Sequence, residues 1–153
     1  MLLYKDGRLY AGRSSFALVN GCKVNDNPPA WYRNGITLNT EDETCMIDIN
    51  FEHGNGGAQK SLEESRITEE LDKLAGTRIE QKVFAGRSAW CAEYQGDLYK
   101  YFEVRFDAPT GLKDSEGSDV NIFRMIVTAP HGSDIKTIRK HPEIAGILNS
   151  FQP

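Results

Sequence analysis

Residues 45–52 read Cys45-Met46-Ile47-Asp48-Ile49-Asn50-Phe51-Glu52. Cys45, Ile47, Ile49 and Phe51 alternate with Met46, Asp48, Asn50 and Glu52, a period of two that sends one set of side chains to each face of a strand. One face is apolar and the other largely polar. A strand with that pattern belongs in an antiparallel sheet, because a buried parallel strand carries a continuous apolar run instead. The strand, taken over residues 44–52, predicts an antiparallel sheet with a core on one side.

Upstream of it, Gly35–Asn39 predicts a modest strand and Phe16–Val19 a short one that Gly21 breaks. Asn25-Asp26-Asn27-Pro28-Pro29 predicts a loop, since two prolines remove two ladder donors. Near the start, Asp6-Gly7 is a two-residue type I′ turn signal, joining Leu2–Lys5 to Arg8–Ala11 as a hairpin.

Downstream, the loop His53-Gly54-Asn55-Gly56-Gly57 ends the strand. Ser61 followed three residues later by Glu64 has the spacing of a capping box and predicts a helix start. Ile67, Leu71 and Leu74 supply an apolar stripe, Glu69 and Lys73 a supporting pair, and Gly76 a stop. Three strands are expected next, at 79–84, 88–95 and 98–106. Trp90, Ala92 and Tyr94 share one face of the second, and Tyr99, Tyr101, Glu103 and Arg105 one face of the third. The polar stretch 107–119 predicts a mobile loop, Val120–Thr128 a last strand, and Ser133 the cap of a short turn through Arg139. Pro142 suits the first turn of a closing helix, whose Ile144, Ile147, Leu148 and Phe151 form the apolar stripe.

The bulk properties fit one domain spanning residues 1–153. Charged residues make up 26% of the chain and the net charge is −4. That balance disfavours nucleic acid or an anionic membrane as main partner, since both need concentrated positive charge. No apolar run is long enough for membrane insertion, so the chain as given is expected to be cytoplasmic, or extracytoplasmic if an export signal once preceded it. Cys22, Cys45 and Cys91 are odd in number and widely spaced, which predicts reduced thiols rather than a disulfide framework or metal knuckle.

Candidate chemistry is sparse. Gly54 to Ser61 approaches the phosphate-loop pattern G-x-x-x-x-G-K-[ST], but Gln59 stands where the second glycine belongs. His53, His131 and His141 never pair at helical spacing, so no helical metal site is expected. The carboxylates of Asp114, Glu116 and Asp119 lack the spacing of a calcium loop. Tyr94, Tyr99, Tyr101 and Trp90 read as sheet packing rather than a nucleic-acid platform. No catalytic residue, metal or cofactor is assigned. Two loop sites remain as binding candidates: Trp31-Tyr32-Arg33, with the composition of an interface anchor, and His53 beside its glycine loop.

The order of elements, with Asn34-Gly35-Ile36-Thr37-Leu38, Ser61-Leu62-Glu63-Glu64, Val83-Phe84-Ala85-Gly86-Arg87-Ser88-Ala89 and the ending Ile147-Leu148-Asn149-Ser150-Phe151, resembles the PsbP-like superfamily. That superfamily includes the photosystem PsbP subunit, a Ran-binding nuclear-import factor and bacterial DcrB-like proteins. The resemblance covers residues 16–151. It implies an α+β fold, an antiparallel β-sheet flanked by helices in an α/β/α sandwich, to which residues 1–15 add a hairpin. It also implies a non-enzymatic module that binds another protein, as an assembly factor or chaperone-like domain. The alternative is a small-molecule-binding or enzymatic domain using the His53 glycine loop. A third reading is a homodimer paired through the edge of the N-terminal hairpin.

Overall fold

The computed structural model describes residues 2–18, 23–24, 31–32, 35–67 and 77–153. The alternating segment forms strand β7 (Met46–Glu52), with antiparallel neighbours on both sides. The chain first builds β1 (Leu2–Lys5), β2 (Arg8–Ala11), β3 (Ser14–Ala17), β4 (Lys23–Val24), β5 (Trp31–Tyr32) and β6 (Gly35–Asn39). After β7 come helix α1 (Gly57–Ile67), β8 (Ile79–Phe84), β9 (Arg87–Gln95), β10 (Tyr99–Asp107), β11 (Ile122–Pro130), α2 (Ile135–Arg139) and α3 (Pro142–Ser150). The fold is α+β. A seven-stranded sheet runs in the order β4-β6-β7-β11-β10-β9-β8, and a four-stranded sheet in the order β3-β2-β1-β5.

Period-two alternation gives the large sheet its two faces. Ile47, Ile49 and Phe51 stand opposite Val127, Met125 and Phe123 on β11, which in turn stand opposite Phe102, Val104 and Phe106 on β10. All nine are buried on one face. Ile144, Ile147 and Leu148 of α3 close over that face, and Phe151 beyond the helix stacks on Phe106 with ring centroids 4.5 Å apart. The small sheet joins the same layer: Leu2, Leu9, Ala11 and Phe16 belong to this core, and Phe16 packs against Phe51 and Phe123. Helix α1 covers part of the opposite face through Leu62, beside Ala92 and Tyr94.

The N-terminal hairpin is thus part of the core, not an added edge. Its turn is as expected, with Asp6 and Gly7 at φ 50° and 79°, the left-handed pair a type I′ turn requires. Its outer edges are occupied. On one side β1 pairs with β5. On the other β2 pairs with β3, whose Ser15 in turn exchanges two backbone hydrogen bonds of 2.8 Å with Gln152, and Arg8 reaches the Ser150 carbonyl. A homodimer through this hairpin edge would have to displace those partners.

Other expectations need correction. Helix α1 begins at Gly57, so Ser61 lies inside it rather than at its cap. The first turn is instead capped from a distance, the Asp107 carboxylate accepting from Ala58 N–H at 2.8 Å. Asp134, not Ser133, caps α2. The strand expected at 16–19 is β3, two residues earlier. Residues 107–119 are not a free loop: Thr110 and Asp114 make backbone hydrogen bonds within it, Val120 N–H donates back to the Leu112 carbonyl, and Arg13 N–H donates to the Thr110 carbonyl. The proposed loop 25–29, the stripe beyond Ile67 and Cys22 lie outside the described residues.

Because Leu9 is wholly buried in the main core, Leu9→Ala is expected to cost about 2–5 kcal/mol in urea denaturation. A value near zero would return the hairpin to the status of an appendage.

Candidate binding face

The registers of the large sheet align residues of the polar face in transverse rows. One row runs Asn39, Met46, Thr128, Tyr101, Tyr94 across five strands. The next runs Thr37, Asp48, Ile126, Glu103, Ala92, and a third Gly35, Asn50, Arg124, Arg105, Trp90. The second and third rows carry charge into the interior. Glu103 is 0% exposed and Arg105 is 2% exposed.

Their charges are matched atom by atom. Arg105 Nε and Nη2 both donate to Glu103 Oε2 at 2.8 Å, while Nη1 and Nη2 reach Ser61 Oγ at 2.5 Å and Ser65 Oγ at 2.9 Å on α1. The other carboxylate oxygen accepts from Arg124 Nη2 at 3.2 Å and from the Tyr94 hydroxyl at 3.3 Å. Burial raises the Tyr94 pKa, and the Glu103 charge raises it further. Burial acts to lower the pKa of Arg124, but Glu103 and Glu52 outweigh it and the guanidinium is held more firmly charged. This network seats α1 on the sheet and acts as scaffold, although Arg124 Nε is buried in it without a hydrogen-bond partner.

The first row is different. At the end of the sheet where β7 begins and β11 finishes, Met46, Tyr99, Tyr101, Thr128 and Pro130 line an open cleft of about 410 Å³. Met46 is 36% exposed, Tyr99 47%, and Leu98 beside it 73%. The Tyr99 and Tyr101 rings meet edge to face at 6.5 Å. Over the opposite rim stands the turn Glu41-Asp42-Glu43, with Glu43 in the lining and its backbone in the left-handed region at φ 61°. That conformation is uncommon for a residue with a side chain and persists where surrounding bonds enforce it. Here they do: Glu43 N–H donates to Thr40 O, and the Asp42 carboxylate accepts from the Thr40 hydroxyl, the Thr44 N–H and the Thr44 hydroxyl. The Thr40 bond first, then those from Thr44, pull the Asp42 pKa down to about 2. The result is an aromatic, half-apolar cleft with a rigid anionic lip.

The residues nominated from sequence are scattered. Trp31 and Tyr32 form β5 by their backbone, paired with β1 rather than free in a loop, and Arg33 lies outside the described residues. His53 sits at the other end of β7, some 20 Å from the cleft at about 3.4 Å per residue. It is exposed, with Nδ1 2.8 Å from the Asp119 carbonyl and Nε2 3.0 Å from Asn55 Oδ1. Two oxygen acceptors favour the imidazolium, the Asp119 carbonyl most, and raise its pKa. The near phosphate-loop fails on geometry, since β7 is antiparallel to both neighbours and α1 starts at Gly57, before Lys60. Burial pushes the Cys91 thiol up to about 12 and also raises that of Cys45, so neither offers a thiolate near neutral pH. Among the described residues no group of three or more His, Cys, Asp or Glu side chains could hold a metal ion.

The cleft went unread in the sequence because its lining comes from distant strands brought together by register. Its one local signal is Met46, the only apolar residue on the polar face of β7. No family model, curated protein or solved structure matches the chain.

Removing one partner of the buried pair strands the other. Glu103→Ala is expected to lose about 3–5 kcal/mol in chemical denaturation, and replacing Glu103 and Arg105 together by methionine to cost less than that single change. The Asp42 carboxyl should titrate near pH 2 by NMR and return towards the ordinary carboxylate range in Thr40→Ala. A carboxylate with a lowered folded-state pKa adds stability above its ordinary pKa, so this contribution should fade as pH falls from about 4 to about 2.

Proposed function

We propose that this chain is a non-enzymatic binding module, and that it docks a segment of another protein in the Met46–Tyr99–Tyr101 cleft. The observation that carries the proposal is the pairing of exposed aromatic and thioether surface with a rigid anionic lip. Exposed Leu98, Tyr99 and Met46 give a partner apolar area to bury. Tyrosine faces attract a cation, and so does Glu43 in the lining of the cleft. The occupant that fits this chemistry is a peptide segment with a lysine or arginine beside aliphatic or aromatic side chains. The PsbP-like resemblance supports a binding role of the same kind. No described helix is long and apolar enough to cross a membrane.

A peptide-display selection on the wild-type protein is expected to enrich such basic, apolar-flanked segments. Affinity for a selected peptide should fall about tenfold, or about 1.4 kcal/mol, in Tyr99→Ala and again in Glu43→Lys, with the melting temperature unchanged. Enrichment of acidic segments, or indifference to both changes, would overturn the assignment. Loss only on joint alanine replacement of Trp31, Tyr32 and Arg33 would move the docking surface to β5.

A further inference from the structure

The two sheets have four edge strands, and their edges are managed differently. β4 and β5 are two residues long, and β3 is bridged to Gln152. β8 is six residues long, pairs in continuous register with β9, and among the described residues has no strand on its other side. It contains no proline, and Val83 is 64% exposed.

The turn to β9 fixes which backbone groups face outward. Phe84 and Arg87 flank the two-residue turn Ala85-Gly86, whose φ values of 50° and 82° are those of type I′. The flanking residues form a hydrogen-bonded pair, and pairs alternate from there. Phe84, Lys82 and Glu80 therefore spend their backbone groups on β9, and Val83, Gln81 and Ile79 aim theirs at the open edge.

We propose that β8 pairs antiparallel with β8 of a second copy of this chain, about a dyad at Gln81. The outward phase allows a dyad at Ile79, Gln81 or Val83, and the side chains favour Gln81. In that register Ile79 faces the partner's Val83 and Glu80 faces the partner's Lys82, each twice by symmetry. Apolar meets apolar on one sheet face, and acid meets base on the other. Within the strand, Lys82 Nζ already lies 3.4 Å from Glu80 Oε2, so the four charges would close into one ring. The paired edges would exchange roughly six backbone hydrogen bonds.

Sedimentation equilibrium of the wild-type chain is expected to show twice the chain mass as concentration rises. Glu80→Lys and Lys82→Glu should each give a monomer of unchanged circular dichroism, because each sets like charges against one another across the dyad. The double change Glu80→Lys with Lys82→Glu should restore the dimer, an outcome that loss of folding could not produce. A wild-type monomer at the highest concentration reached, or a dimer insensitive to either reversal, would overturn the pairing. Gln81→Pro removes an outward N–H without touching a bond to β9, and should dissociate the dimer as well.

Discussion

A carboxylate with no exposure, in the middle of a sheet face, is the constraint on which this structure turns. Taking Glu103 and Arg105 out of water costs several kcal/mol per ion, and their attraction offsets this only if every remaining lone pair and proton finds a partner. Those partners come from five places: Tyr94 on β9, Arg124 on β11, Ser61 and Ser65 on α1, and the pair itself. Helix α1 cannot slide along the sheet without leaving a guanidinium proton unbonded in the interior. Its seat is fixed a second time by Asp107, which leaves the end of β10 to accept from the first turn. An apolar helix face would have tolerated several positions; this one tolerates few.

The opposite face obeys the simpler rule of burial. Phe16, Phe51, Phe106, Phe123 and Phe151 pack ring against ring, and they come from the small sheet, the large sheet and the C-terminal segment. Because one cluster spans first strands and last residues, the chain ends stabilise each other, and Arg87 and Arg8 tie down the Phe151 and Ser150 carbonyls from either sheet. In the first row Tyr94 joins the buried network and packs beside Leu62 of α1, while Met46, Thr128 and Tyr101 line the cleft.

How much of this was legible in the sequence depends on how local each cause is. The alternation of 45–52 and the Asp6-Gly7 turn act within a few residues, and both read correctly. Ser61 misled because S-x-x-E looks the same inside a helix as at its start; what distinguishes them is Asp107, almost fifty residues away. The hairpin looked like an appendage because strands of four residues carry too little pattern to show which face is buried, and only Phe16 against Phe51 and Phe123 supplies the reason. Glu103 and Arg105 stood on one face in the sequence reading, yet two charges two residues apart also fit a solvated strand. The cleft needed the register of four strand pairs at once.

The proposed cleft and the proposed β8 pairing are geometrically compatible. A dyad between antiparallel strands runs perpendicular to the sheet, so copies joined at β8 turn their polar faces to the same side. Each cleft is lined from β7, β10 and β11, two to four strands from the joined edge. With the Tyr101 row four residues from Gln81 along the strand, the two clefts would lie roughly 40 Å apart, at about 4.8 Å per strand and about 3.4 Å per residue. A partner carrying two basic, apolar-flanked segments on a tether of that reach would engage both, the second at an effective concentration set by the tether rather than by solution. A shallow cleft with modest affinity for one segment is then enough to retain such a partner, because avidity multiplies two weak contacts. The same arrangement discriminates, since a partner with a single segment gains nothing from the second cleft.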